Sequence, residues 1–389
     1  MTSLFLLEPE NPGAAWAPFA GAAPLSTLRV GGWTAAERWV RAFGSGSASG
    51  IIASNRYPLP SGSLPLVDPG EVRGPAWIVD VTFAPAIPMR QVGGAKRLLF
   101  NQRAVAWRLD PGETWSGPHD SGDGMVIDGL PMQGAWDLVT ALEKFLFSDT
   151  LADLERGGDS APDGSIVIGN PAAIAIRGAT VEPGVVFDVQ RGAVILEQGV
   201  TVKSGTRLEG PCWIREGTVV NGGAIKHVSV GPHCRVHGEM STTVINGYSN
   251  KAHDGFVGHT AIGSWVNLGA GTITSNLKNT YGPVRVEPAG ERFDTGRMML
   301  GSLIGDHAKT AIGTLLPTGT VVGAGANIFG AVRAARYTAP FAWGDGEARI
   351  DADRFLEVAR RVLPRREVNV DAQMEASLRA MHQRLTGGG

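Results

Sequence analysis

GVTVKSGTRLEGPCWIREGTVVNGGAIKHVSV, Gly199 to Val230, decides the fold, because it repeats itself every six residues. Val200, Thr206, Cys212, Thr218, Ala224 and Val230 form one row of small or aliphatic residues. Val202, Leu208, Ile214 and Val220 form a second row two residues on, and glycine keeps the beat at Gly199, Gly205, Gly217 and Gly223. A hexapeptide period is too short for a helical repeat and suits a solenoid in which each flat side is one short strand. Three such sides close one turn of a triangular prism. Its coils stack at roughly 4.8 Å, and their inward side chains fill a narrow apolar core.

The beat returns downstream. Ile262 and Leu268 continue one row, Leu316, Val322 and Ile328 another, and Gly313, Gly319 and Gly325 stay in step. A looser prelude occupies residues 164–199, so the pattern predicts one solenoid over 164–330. Its longest break, SNLKNTYGPVRVEPAGERFDTGRMM (Ser275 to Met299), is too polar and too long for a coil side. Long loops on a rigid scaffold often carry function.

Composition bounds the rest. With 389 residues and 43% hydrophobic content the chain exceeds one ordinary domain, and 54 glycines fit a turn-dense β architecture. A net charge of −2 and the lack of a basic stripe argue against nucleic acid as a partner. Two cysteines, Cys212 and Cys234, argue against a secreted disulfide scaffold. No basic leader and no apolar run of about twenty residues is present, which points away from a membrane and toward the cytoplasm.

Residues 1–156 read differently. Short apolar runs (SLFLL, GIIAS, AWIVDVTF, RLLFN) alternate with helical stretches, one of them opening on Thr34 with Glu37 three residues later, a capping-box pattern, and closing at Gly44. That mixture predicts an α/β layer domain, ended by RGGDSAPDG at Arg156 to Gly164. Residues 331–389 carry two charged, helix-periodic segments separated at Pro364, expected to form a helical extension on the last coils.

Reactive residue types are densest at Ile245 to Asn279, INGYSNKAHDGFVGHTAIGSWVNLGAGTITSNLKN, where the beat falters and resumes. A solenoid needs none of these polar residues for packing. VGHTAIGSWVNLGAGTITSN, Val257 to Asn276, resembles the acetyltransferase half of the GlmU-type bifunctional enzymes that join glucosamine-1-phosphate acetyltransferase to UDP-N-acetylglucosamine pyrophosphorylase. Their pattern runs KAGHxxYLGxxxIGxxxNIGAGTITCN, and the match extends over about 30 residues. GYSNKAHDGFVGH, GSLIGDHAKTAIGT and PLSTLRVGGWTAAERW (Pro24 to Trp39) are further similar to a bacterial group of GlmU-like sugar nucleotidyltransferases, over nearly the whole chain.

The resemblance implies a nucleotidyltransferase-like (Rossmann-like) N-terminal domain, a left-handed β-helix of hexapeptide repeats, a homotrimer, and active sites between neighbouring prisms. It places His253 on the family's catalytic histidine. An amino sugar attacks a thioester as the free amine, and a base must take its proton as the C–N bond forms; imidazole suits that task. Adjacent strand residues point opposite ways, which makes Asp254 a weak candidate for orienting that ring. The turn from Gly269 to Thr272, centred on Ala270 and Gly271, is expected to offer backbone N–H to the oxyanion and the acetyl-CoA donor. Asn267 matches a position contacting sugar or donor, and Asn276 one near the donor. Lys226, Lys251 and Lys278 are candidate ligands for phosphate. Phe256 stands where the family has tyrosine, so a hydroxyl donor to the sugar phosphate is missing.

Nucleotidyltransferases of this kind hold a nucleoside triphosphate on a GxGTRM loop, which this chain lacks. The nearest analogues are Arg29 and Gly31 before the first helix and Arg38 within it, with Asp80 as a candidate Mg²⁺ ligand. Two other readings stay open: a zinc site built from histidines such as His227, His233 and His237, as in hexapeptide carbonic anhydrases, and a scaffold whose prism merely trimerises or regulates a sugar nucleotidyltransferase.

Overall fold

Glycine sets the corners of the prism. Gly199, Gly205, Gly217, Gly223, Gly313, Gly319 and Gly325 have φ between +64 and +94°, the left-handed region that costs a residue without Cβ little. Between corners the chain forms three strands per coil in the computed structural model, which describes residues 2–387 apart from 45, 54–56, 90, 91, 346 and 347. Long strands such as Thr206–Ile214, Gly223–Val230, Glu239–Gly247 and Phe256–Ser264 bend through a corner and supply the first and second faces. An eight-stranded parallel sheet, from Thr180–Val181 to Asn327–Ile328, makes the third. Every ladder between coils is parallel, running from Ile166–Ile168 to Tyr337–Thr338. This parallel β-solenoid accords with the β-helix expected from the repeat.

The inward rows are those read from the repeat, with one exception. Val200, Val202, Thr206, Leu208, Cys212, Ile214, Thr218 and Val220 are fully buried. Ala224 is exposed. Gly223 pairs with Thr206 and Ala224 with Arg207, one residue short of three hexapeptides, so Ile225 turns inward instead. A slip of one residue moves every side chain of a strand to the opposite face.

The N-terminal domain is a seven-stranded mixed sheet in the order Gly124–Val126, Arg97–Phe100, Arg103–Leu109, Ala76–Asp80, Ser3–Leu7, Gly50–Ile52, Leu66–Val67. Helix α1 (Ala35–Phe43) begins with both hydrogen bonds of the Thr34/Glu37 capping box and ends at Gly44, φ +63°. Such a cap stabilises a helix by about 1 kcal/mol. The GIIAS run is a strand over Gly50–Ile52, and its Ser54 lies outside the described residues.

Helix α2 (Asp137–Leu154) lies across the second face of the prism. There Leu142, Phe145 and Leu146 share one apolar core with Trp213, Val244 and Leu303 of the solenoid. The insertion at residues 275–299 joins the same interface. Its strands Arg285–Val286 and Phe293–Asp294 pair antiparallel, Val284 and Val286 are buried in the shared core, and Phe293 meets Trp136 at 5.7 Å. The insertion therefore clamps the two domains together.

Helices α3 (Ala352–Val362) and α4 (Ala372–Thr386) are separated by a 3-10 turn, Leu363–Arg366, that contains Pro364. They cover the last coils through Phe341, Phe355, Leu356 and Leu378. The corner leading to the third face carries a stack of rings, His233, Tyr248, Trp265 and His307, at 5.2, 4.5 and 6.3 Å between successive centroids. All four have positive φ, so each coil presents its ring from the same corner.

Candidate functional site

Lys251 shapes the corner that carries His253. It stands in an inward row and is 2% exposed, unlike the solvated phosphate ligand expected. Its ammonium donates to the carbonyl of His237 at 3.0 Å and to that of His253. Burial lowers its pKa to about 8, with Asp254 acting in the opposite direction. At Gly255, φ +120°, a Cβ would come within 2.2 Å of the Thr272 carbonyl, so glycine allows this corner to lie against the next coil. The His253 ring is left exposed at the rim. Asp254 turns away from it, with Oδ1 3.4 Å from Nδ1 of His237.

One coil on, the GAGT turn is held by its own hydrogen bonds. Gly269 N–H donates to the carbonyl and hydroxyl of Thr310, Gly271 N–H to the Asp254 carbonyl at 3.0 Å, and Thr272 N–H to the Gly269 carbonyl. The Ala270 N–H has no acceptor among the described residues. Ala270 and His253 border the same cavity of about 680 Å³, with Asn267 beside them. Asn250 donates to Asn267 at 3.2 Å, which orients the Asn267 side chain.

The cavity extends along the third face toward the C-terminal turn, where further residues enter that the sequence reading passed over. Arg235, Asn250 and Lys309 join Asn267 in one outward row, as their strand pairing shows. The signal was present, but visible only after the coils are laid in register, because the insertion separates Asn267 from Lys309. Tyr248 and Trp265 form another wall, and Arg365 and Arg366 reach in from the turn after α3. No solenoid periodicity announces those two arginines.

The remaining candidates lie elsewhere. Asn276 shares a hydrogen bond of 2.8 Å with Nδ1 of His259 at the corner facing α2, where Nε2 of His259 is 3.7 Å from Glu143. Lys278 closes the insertion on the Pro283 carbonyl. Lys226 is exposed on the first face, between Glu209 and Ser241 in the ladder.

In the N-terminal domain the expected nucleotide ligands face inward. Arg38 is fully buried, its guanidinium donating to the carbonyls of Val30 and Pro85 and paired with Asp149. Burial raises the Asp149 carboxyl to about 6, opposed by Arg38 and the Gly32 N–H. Arg29 is 6% exposed and donates to the Gly32 carbonyl. Gly31 has φ +72°, and a Cβ there would lie 2.4 Å from Asp149. That glycine admits a carboxylate of the protein itself, where the sequence suggested a phosphate. Asp80 accepts two hydrogen bonds from Thr82 and pairs with Arg103. Asp80 is thus already engaged by groups of the protein itself, and among the described residues no group of three His, Cys, Asp or Glu is placed to hold a metal ion.

No family model matches the chain. It is 34% identical over 151 residues to a bifunctional sugar-1-phosphate nucleotidylyltransferase/acetyltransferase of Sulfurisphaera tokodaii, covering 36% of each chain. It is 28% identical over 195 residues to the bifunctional protein GlmU of Buchnera aphidicola, covering 42% of this chain and 39% of that one. The corresponding protein of Ralstonia nicotianae is 29% identical over 187 residues, covering 38% and 39%. The chain thus spans little more than a third of the length of these curated relatives. The similarity agrees with the family resemblance carried by NLGAGTIT.

Proposed function

We propose that the chain is an acyl-CoA-dependent N-acyltransferase acting on an amino-sugar phosphate, with acetyl-CoA as donor, in the synthesis of nucleotide sugars. One observation carries the reading: an exposed imidazole and a backbone N–H without an acceptor border one cavity on successive coils. The acceptor amine attacks the thioester carbonyl carbon while His253 takes a proton from nitrogen. The carbonyl oxygen, gaining negative charge, accepts from the Ala270 N–H. On collapse the C–S bond breaks, and the thiolate leaves with the proton from the imidazolium. Asn267 orients the acceptor or the acyl group.

A homotrimer completes the reading. Ile312, which borders the cavity, is 83% exposed, and Ile273, Leu315 and Val332 on the coils after His253 are 41%, 41% and 69% exposed. Neighbouring apolar side chains left in water mark a surface for another protein chain, and such a neighbour would stand beside His253.

A sugar nucleotidyltransferase activity in the N-terminal domain, using a nucleoside triphosphate, is the second half of the proposal. It rests on the names of the relatives, since Arg29, Gly31 and Arg38 serve the interior and Asp80 is engaged by Thr82 and Arg103. Among the described residues no helix is long and apolar enough to cross a membrane, which suits soluble substrates.

The test is release of free thiol from acetyl-CoA with a panel of hexosamine 1-phosphates and nucleotide-linked amino sugars. An acceptor-dependent signal is expected, lost in His253→Ala. No release with any acceptor, or release unchanged in the variant, defeats the assignment.

A further inference from the structure

A second cavity, of about 340 Å³, lies where the three parts of the chain meet. Spaces of roughly 300–1,000 Å³ hold small molecules, and this one is at the lower end of that range. Ala22, Pro24 and Thr27, from the segment before α1, form one wall, and the prism closes another with Trp265, Asp306 and His307. From α4 come Met374, Ser377, Leu378 and Met381, a spacing of three and four that puts them on one helix face. Methionine side chains adapt to the shape of what they touch. The helix is tied to the N-terminal domain beyond the cavity, where Arg384 donates to the Gly21 carbonyl at 3.0 Å.

One group does not suit this apolar setting. Asp306 is 9% exposed, and its carboxylate accepts a single hydrogen bond, from the Ser264 N–H to Oδ1 at 2.8 Å. Gly263 permits that contact, since a Cβ there would stand 2.2 Å from the same oxygen. Oδ2 has no partner among the described residues, and no Lys or Arg lines the cavity. The other titratable side chain on its wall is His307, which burial keeps neutral at pH 7 by pushing its pKa down to about 3. Burial pushes the Asp306 carboxyl up to about 6, which still leaves it largely ionised at neutral pH. An unpaired carboxylate withdrawn from water is costly, and a cation brought against it offsets that cost.

We infer that this cavity binds a small organic amine, its protonated nitrogen on the Asp306 carboxylate and its aliphatic or aromatic body among Pro24, Trp265 and the apolar face of α4. The same charge disfavours acids and phosphates. An amino-sugar phosphate would bring a second anion into a space that no cation lines, so this is not the place of the acyl acceptor, and the site does not depend on the acyl-transfer reading. Bound there, the amine touches all three parts of the chain and holds α4 against the other two.

NMR titration of the full chain with phenethylamine, its neutral counterpart phenethyl alcohol and the anion phenylacetate tests the inference. The amine is expected to bind about 10-fold more tightly than the alcohol and to raise the thermal midpoint, and the anion to bind more weakly than either. Asp306→Asn keeps an acceptor for the Ser264 N–H and should bring the amine down to the affinity of the alcohol, with the alcohol unmoved. Ser377→Trp, which adds a large ring from a half-buried position of α4, should weaken amine and alcohol alike. No saturable binding at millimolar amine, an alcohol that binds as well as the amine, or a preference that survives in Asp306→Asn overturns the site, as does an amine affinity unmoved by Ser377→Trp.

Discussion

The N-terminal domain and the third-face cavity treat charge in opposite ways. In the first, Arg38 and Arg103 each meet a carboxylate, Asp149 in the core and Asp80 at the surface. In the second, four cations share a cavity with no acid beside them. Cations neutralised inside the protein are architecture, whereas cations gathered on a cavity wall without a counter-charge favour an anionic ligand. The contrast explains why the cluster Arg29, Gly31 and Arg38 reads as a phosphate loop in the sequence and serves as a domain joint in the fold.

The largest effect expected is on turnover. His253→Ala should lower acyl transfer by about 10²- to 10⁴-fold with the unfolding midpoint unchanged. A loss of stability in its place would move His253 to the architectural side of the comparison. Arg38→Met, by contrast, leaves Asp149 buried without its counter-charge and should cost about 3–5 kcal/mol in denaturant unfolding. A variant as stable as the parent, with a raised KM for a nucleoside triphosphate, would restore the nucleotide-binding expectation.

Lys251 lies between these cases, a buried cation that holds the His253 corner from inside. Lys251→Met removes both hydrogen bonds to the carbonyls of His237 and His253. The expected cost is about 1–3 kcal/mol of stability. Turnover should also fall about 10-fold with little change in KM, because His253 is displaced and not removed. Unaltered turnover would reduce Lys251 to packing.

In the parent the smallest net effect comes from a pair of opposed pH dependences under the C-terminal helices. Burial pushes His307 down to about 3, so between 6.5 and 3 the unfolded chain binds a proton that the folded chain refuses, and acid destabilises. Burial pushes Asp306 up to about 6, so between 3.8 and 6 the folded chain keeps a proton that the unfolded chain releases, and acid stabilises. The two slopes cancel where the windows overlap. Asp306→Asn should lay bare the destabilisation by the buried histidine, losing about 1.4 kcal/mol relative to the parent for each pH unit lowered within that window. His307→Gln should do the reverse. Parallel profiles for parent and variants would break the argument.

The parts of the molecule legible in sequence share one property, a local pattern. The inward rows from Val200 to Val220 and the glycine corners follow a fixed period, and NKAHDG and NLGAGTIT are each contiguous, so that His253, Asn267 and Ala270, which the fold brings to one cavity, stand out from neighbours in the chain. Ala224 escapes because one short corner breaks the count. Lys309 and Arg366 escape because the first is set off by the insertion and the second lies on a helical turn with no repeat. Lys251 reads in the sequence as a candidate phosphate ligand because lysine in an inward row is rare; its length lets the ammonium reach the corner carbonyls while the stem fills the core row.

The apolar layer under α2 has one more consequence. Leu142 and Phe145 of the helix and Trp213, Val244 and Leu303 of the prism belong to a single hydrophobic mass, sealed at its edge by the excursion at residues 275–299. The polar stretch near residue 160 is thus a seam in composition but not in cooperativity. Cutting the chain there would bare a greasy flank on both fragments, and intact protein should melt in one transition.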